Sequence, residues 1–488
     1  MNAPIDVAVV GAGFAGIGMA LALRREGRES FVVLERAESV GGTWRDNTYP
    51  GVACDVPSHL YGFADHPNPH WSGVFARGAE IRSYLDGVAD QVRDRIRLNS
   101  PLLRAHWDGE LWQLEVGGPR AGRLEARSLV LACGRLTEPS VPDISGLESF
   151  PGPLFHSARW DHRVAVEGTR IAVVGTGASA VQLVPELVRR GAKVTLFQRT
   201  PAWIVPREGR EYADAERLAF AADPGALARV RAVLYAEGEA RYASRSGDVA
   251  AAASARSIAL DHLAAQVADP ALRNALTPDY AFGCKRVLLS DDFYPAVASG
   301  AVTLEASALT AVEGRSLIAA SGARHDADVL VLATGFEAAR QPYAELVEGA
   351  DGQTLAAHWS EGMTSVASTL VPGFPGLYVL NGPNGSLGHN SAVLMMEAQA
   401  EFVLRCLADG RTIDATEDAE RAYTAEIDRR AARTSWVAGG CRNWYVDERS
   451  GRLTLLWPGT VAEFRDRLAA LDPAAFAREP SPLSEGTP

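Results

Sequence analysis

The sequence predicts an α/β protein with two Rossmann-like dinucleotide-binding domains, the second carrying a helical insertion. Three observations lead there: a strand, glycine-turn and helix pattern occurs twice, a proline-rich stretch separates the two copies, and an alanine-rich stretch of helical period follows the second. A length of 488 residues is enough for two or three packed domains. With 47% hydrophobic and 22% charged residues the composition is that of ordinary globular protein, which excludes disorder, collagen and coiled coil.

Ile5 to Val10 is a β-branched run, followed by Gly11-Ala-Gly13-Phe-Ala-Gly16 and by apolar positions at helical spacing. A second strand, Phe31 to Leu34, ends in Glu35, which completes a βαβ opening. The same order returns in Arg170 to Val174, Gly175-Thr-Gly177-Ala-Ser-Ala180, a helix, and a strand that ends in Gln198-Arg199-Thr200. Between the copies lie Pro139, Pro142, Pro151 and Pro153, and proline blocks both helices and central strands. Strand-like runs at Ala327 to Phe336 and Gly376 to Pro383 precede a helix beginning near Ser391, so the last third is expected to return to the first domain. The resulting organisation is a first domain at 1–135 and a linker at 136–165. A second domain follows at 166–330 with its helical insertion at about 208–276, then the remainder of the first at 331–470 and a disordered tail at 479–488.

A formal charge of -12 offers no basic surface for a phosphate backbone or an anionic membrane, so neither nucleic acid nor membrane is an expected partner. No stretch reaches 18 uncharged apolar residues and the first residues lack a basic leader, which points to a cytoplasmic protein. The five cysteines, Cys54, Cys133, Cys284, Cys406 and Cys441, are widely spaced without a C-x-x-C pair. They read as structural thiols in a reducing compartment, with no zinc site and no disulfide framework. Only Lys193 and Lys285 are lysines among the 48 basic residues, so a lysine kept at a candidate site carries weight.

In the first turn Gly11 permits the tight bend, Gly13 lets a pyrophosphate approach the backbone, and Gly16 allows close helix packing. Glu35 suits a ribose diol and opposes a 2′-phosphate, as in FAD or NAD. In the second turn Arg199 replaces the acid, which suits the 2′-phosphate of NADPH. One FAD site and one NADPH site describe a flavin reductase or a flavin monooxygenase, and the missing paired dithiol sets the disulfide reductases aside.

Two further segments carry a resemblance. Gly42-Thr43-Trp44, Tyr49-Pro50-Gly51 and Asp55 match G-x-W-x-x-x-x-[FY]-P-G-x-x-x-D, and Phe150, Gly152, His156, Trp160 and Asp161 match F-x-G-x-x-x-H-x-x-x-W-[PD]. Both resemble the fingerprints of type I Baeyer-Villiger monooxygenases, and the likeness runs from about residue 5 to residue 467. It implies an FAD- and NADPH-dependent enzyme that inserts one oxygen atom of O2 beside a ketone carbonyl to give an ester or lactone, through a peroxide adduct at flavin C4a. A flavin monooxygenase acting on nitrogen or sulfur is the alternative. Trp160-Asp161 and the pairing of Asp55 with Arg286 count against it, and the retention of Asp55 and Arg286 counts against a non-catalytic NADPH-binding regulator.

The resemblance implies catalytic roles for Arg286, in the segment GCKR, and for Asp55, its partner near the flavin. A guanidinium suits both a peroxyanion and a developing oxyanion. Thr43, Trp44, Tyr61 and Leu103 fall where the family contacts FAD, Leu103 through its backbone near the adenine. Thr176, Gly177, Ser179 and Gln182 are expected along the NADPH pyrophosphate, and Lys285, Arg199 and Thr200 at its 2′-phosphate. Asn390 and Ser391 open a helix whose positive end is expected to face the flavin pyrimidine, an ordinary N-cap being the equal alternative, and Trp444 resembles a family tryptophan near the substrate, with aromatic core packing as its other reading. His156 and Trp160 are expected to couple domains and align NADPH more than to take part in chemistry. Ketone identity and oligomeric state are not legible from these residues.

Overall fold

Each glycine turn sits at the end of a central parallel strand, and the two sheets so formed order the rest of the chain. The computed structural model describes residues 3–476; the expected tail at 479–488 lies outside them. The first sheet has eight strands, in the order Val347–Glu348, Leu102–Trp107, Trp112–Val116, Gly122–Leu131, Ile5–Val10, Phe31–Leu34 and Ile96–Arg97, with Leu377–Val379 also paired to Gly122–Leu131. Ile5–Val10 runs parallel to both neighbours, Val9 opposite Val33 and Val130. Val7, Ala8 and Val9 are all buried, as a strand covered on both faces requires.

The second sheet is all parallel, in the order Val302–Glu305, Lys193–Phe197, Arg170–Val174, Val329–Leu332 and Leu154–His156. Its last strand comes from the proline-rich connection. Pro153 ends the loop and three residues pair at the sheet edge, the one place a strand beside prolines is tolerated. The final third of the chain returns to the first sheet through Val347–Glu348 and Leu377–Val379, and its helix Ala392–Cys406 packs on Phe14–Arg25.

The insertion forms four α-helices, Asp214–Ala222, Pro224–Ala240, Val249–Gln266 and Pro270–Ala275. It lies within the second unit in sequence, and it also bonds to the first. The Arg231 guanidinium donates to the carbonyls of His59 at 3.0 Å and Gly62 at 3.1 Å. The Glu239 carboxylate accepts from the Val461 and Ala462 N–H groups, each at 3.1 Å, at the start of the helix Val461–Ala469. Gly238 has no side chain where Asn390 lies: a Cβ there would stand 2.5 Å from the Asn390 amide carbon.

Cys284 and Cys441 form a disulfide across 157 residues of sequence. This corrects the reading of five structural thiols, because a pair so far apart leaves no local spacing to recognise. Cys54, Cys133 and Cys406 remain free. Burial pushes the Cys133 and Cys406 thiols up to about 12, so both stay protonated near neutrality. No helix among the described residues is long and apolar enough to cross a membrane. Closing a loop of that length removes about 5 kcal/mol of chain entropy from the unfolded state. A dithiol reductant is therefore expected to lower the unfolding midpoint of the wild type to that of Cys441→Ser and to leave the variant unmoved. A wild-type midpoint indifferent to reductant would show that the bond is absent.

Candidate active site

A cavity of about 1320 Å³ lies between the carboxyl ends of the two sheets and is lined by both glycine turns, the position where open α/β sheets bind ligands. The turns fit a dinucleotide phosphate. Gly11 has φ +103°, and a Cβ there would stand 2.5 Å from the Ala132 carbonyl oxygen; only glycine makes this bend. The helices Phe14–Arg25 and Ala178–Arg189 start at Gly13 and Gly177 with no capping side chain, which leaves first-turn N–H groups for an anion. A Cβ on Gly177 would meet nothing within 4 Å, so the space a pyrophosphate needs is open. Gly16 does not line the cavity; it packs beneath the turn against the Gly11 carbonyl.

On the first sheet, Glu35 is buried at the cavity edge. Its Oε2 accepts from Ala12 N–H at 2.8 Å, and its Oε1 from Ala37 N–H at 2.9 Å and the Arg45 guanidinium at 3.0 Å. Oε2 thus keeps a lone pair for a ribose hydroxyl. Thr43, Trp44 and Tyr61 line the same wall, with Trp44 Nε1 donating to the Tyr61 hydroxyl at 3.3 Å. Leu103 is expected to act through its backbone and not its side chain. It is 54% exposed and absent from the wall, which Ser100, Pro101 and Leu102 form instead.

On the second sheet, Thr176, Gly177, Ser179, Gln182, Arg199, Thr200 and Lys285 all line the cavity. Thr176 Oγ1 donates to the Thr200 carbonyl at 2.8 Å. Gln182 does more than border it: its Oε1 accepts from the Tyr49 hydroxyl at 2.8 Å and its Nε2 donates to the Ala53 carbonyl at 3.0 Å. The first fingerprint loop is thereby seated on the second unit's helix, and Gly51, with φ +84°, makes room for it. No ion pair joins Arg199 or Lys285 to a carboxylate among the described residues. Burial, and then the neighbouring Arg199 charge, press the Lys285 ammonium down from the usual lysine range.

Asp55 and Arg286 meet across the two units. Both Nε and Nη2 of Arg286 donate to Asp55 Oδ2, at 2.9 and 2.6 Å. The Asp55 charge lifts the guanidinium well above the ordinary arginine range, so it is cationic at every working pH. Lys285 and Arg286 directly follow Cys284, and Trp444 follows Cys441 by three residues; the disulfide therefore anchors the loop bearing Arg286 to the loop bearing Trp444. Trp444 and Asn390 line the cavity. Asn390 is held from the insertion, its Nδ2 donating to Glu239 Oε1 at 3.0 Å, and Ser391 caps the helix that follows.

The second fingerprint stays outside the large cavity. Phe150 and Trp160 are core side chains, Trp160 edge-on to Phe155 at 5.1 Å. A Cβ on Gly152 would strike the Asp328 carbonyl at 2.2 Å. His156 Nδ1 accepts from Ala158 N–H at 3.1 Å, and burial lowers its pKa to about 4, so it is a neutral structural ring. Asp161 pairs with exposed Arg163. This segment fixes the linker to the second sheet. Arg135 is a wall residue that motif reading missed; the available signal was its place just after a central strand, where such sheets bind ligands.

Comparison with known proteins agrees with this geometry. A family model for pyridine nucleotide-disulphide oxidoreductases matches residues 8–212. A Baeyer-Villiger monooxygenase of Streptomyces coelicolor is 45% identical over 99% of this chain and 94% of its own, and one of Pseudomonas aeruginosa is 38% identical over 98% and 92%. Among solved structures, an oxidized steroid monooxygenase bound to NADP superposes with a TM-score of 0.84 at 28% identity, covering 97% of this chain and 98% of that one. OTEMO in complex with FAD and NADP gives 0.85 at 26% identity over 97% and 99%. On the strength of its whole-length kinship and of both fingerprints in place, the chain belongs to the Baeyer-Villiger monooxygenase family.

Proposed function

We propose that this family member converts a ketone, O2, NADPH and a proton into an ester or lactone, NADP⁺ and water, with Arg286 and Asp55 as the charged centre of the reaction. The observation that carries the residue assignment is the guanidinium of Arg286, lining the cavity and pinned by two hydrogen bonds to a single oxygen of Asp55. FAD, bound at the first glycine turn, supplies the redox chemistry by taking hydride from NADPH and activating O2. The chain's own groups do the rest.

Arg286 presents a fixed positive charge to oxygen atoms that become anionic during insertion, and its donors are oriented before the reaction begins. Asp55 holds that orientation. Arg199 and Lys285, two cations without a carboxylate partner, fit the doubly charged 2′-phosphate that distinguishes NADPH from NADH. Glu35 and the two uncapped helix starts hold the remaining polar groups of the nucleotides. Trp444 borders the substrate. Dependence on NADPH favours the cytoplasm, where that reductant is regenerated; the Cys284–Cys441 disulfide is a feature more usual outside it.

Arg286→Ala is expected to retain reduction of the flavin by NADPH, seen as loss of its yellow absorbance, while ester formation falls by about 100-fold or more. An ordinary ester yield would remove Arg286 from the reaction. Lys285→Ala and Arg199→Ala should each weaken NADPH by roughly 1.5–3 kcal/mol, the worth of one charge-assisted hydrogen bond, read as KM, with little change for NADH. Equal shifts for the two coenzymes would place the 2′-phosphate elsewhere.

A further inference from the structure

Arg135 stands out among the cations of the cavity wall. It follows the central strand Gly122–Leu131 and lies on the first unit, where Nη2 donates to Ser386 Oγ at 2.5 Å and Nη1 to the Leu455 carbonyl at 3.5 Å. Nε is buried without a partner, and the guanidinium carbon lies 5.7 Å over the Trp444 ring. No carboxylate pairs with it among the described residues, whereas Arg286, Arg45, Arg36 and Arg442 on the same wall pair with Asp55, Glu35, Glu138 and Glu448. Besides burial, Tyr445 acts to favour its charge, and the Arg286 charge, more weakly, repels it. Burial, with that repulsion, brings the Arg135 guanidinium down to about 10, so it is still charged at neutral pH.

A charge kept in such a place without a counter-ion is costly unless a ligand supplies one. The cofactors have donors of their own: the pyrophosphates at the two helix starts, and the 2′-phosphate at Arg199 and Lys285 on the second unit. What Arg135 offers is different. It sets a forked donor against the face of Trp444, with Leu387 on the same wall, a surface that matches a hydrocarbon skeleton ending in a carboxylate. We infer that Arg135 selects ketones that carry a carboxylate, so that the substrate class of this enzyme is oxo acids rather than neutral ketones. The inference rests on the reading of the cavity as a Baeyer-Villiger site.

The test compares a medium-chain oxo acid with its methyl ester, a neutral molecule of nearly the same shape, by kcat/KM for oxygen insertion followed by mass. The wild type is expected to prefer the acid, and Arg135→Leu to lower the acid-to-ester ratio by about 10- to 100-fold. Arg135→Lys should keep much of the preference. Because the ratio is taken within one preparation, it does not depend on how much of a variant folds or holds FAD. Binding gives a second readout: the oxo acid should raise the melting temperature of the holoenzyme, and Arg135→Leu should abolish that shift. A wild type that favours the ester, or a ratio that Arg135→Leu leaves unchanged, overturns the inference. Equal losses for acid and ester would assign the charge to the reduced flavin instead. If no ketone gains oxygen, the failure is that of the Baeyer-Villiger reading itself.

Discussion

The ion pair between Asp55 and Arg286 is the contact on which the arrangement of the site depends. Its partners are 231 residues apart, one on the loop of the first fingerprint and the other beside the second sheet. Each loop is held by something other than the pair. Gln182 grips the Asp55 loop through Tyr49 and Ala53, and the disulfide at Cys284 grips the Arg286 loop. The charge is thus placed by groups that gain nothing from the chemistry. Removing Asp55 would leave a partly buried guanidinium uncompensated, a loss larger than the pair's net worth to stability.

The parts of this site legible in the sequence are those whose signal is local. A glycine turn spans six residues, and its chemistry is stated by neighbouring positions, so Gly11, Gly13, Gly177 and the contrast between Glu35 and Arg199 are readable directly. Fingerprint spacing marks Asp55 for the same reason. What was not legible joins distant segments. The Cys284–Cys441 bond has no spacing rule, and the attachment of the insertion through Arg231 and Glu239 involves ordinary surface-type residues that only the fold brings to His59, Gly62 and Val461.

The insertion illustrates how sequence position and mechanical position differ. It is encoded within the second unit and bonds to it through His262 and Gln266 at the Ser290 and Asp291 carbonyls, yet it also reaches the first, where Glu239 meets both Asn390 and the start of the helix Val461–Ala469. A helix start attracts a carboxylate whatever its origin, so one half-buried glutamate joins three segments. Gly238, beside it, is required by contact and not by backbone bend, since Asn390 fills the space of a side chain. The asparagine expected to orient toward the flavin is consequently positioned by a segment whose composition carries no sign of that task.

Net charge and site charge are separate quantities here. The chain has 60 acidic against 48 basic residues, while seven cationic side chains and six carboxylates line the cavity. The reversal is small in number and large in effect, because four of the cations are spent on carboxylates of the wall and the surplus falls on Arg135, Arg199 and Lys285. Each of these waits for an anion that the protein does not provide. Two sit together, as a dianionic phosphate requires, and one stands apart beside an indole ring. In a chain that uses arginine almost everywhere, the lysine in the pair supplies a compact ammonium for a phosphate, and the isolated arginine supplies a planar fork for a planar group. On the proposed assignments, selectivity for coenzyme and for substrate rests on the same element, a cation left unpaired inside an acidic protein.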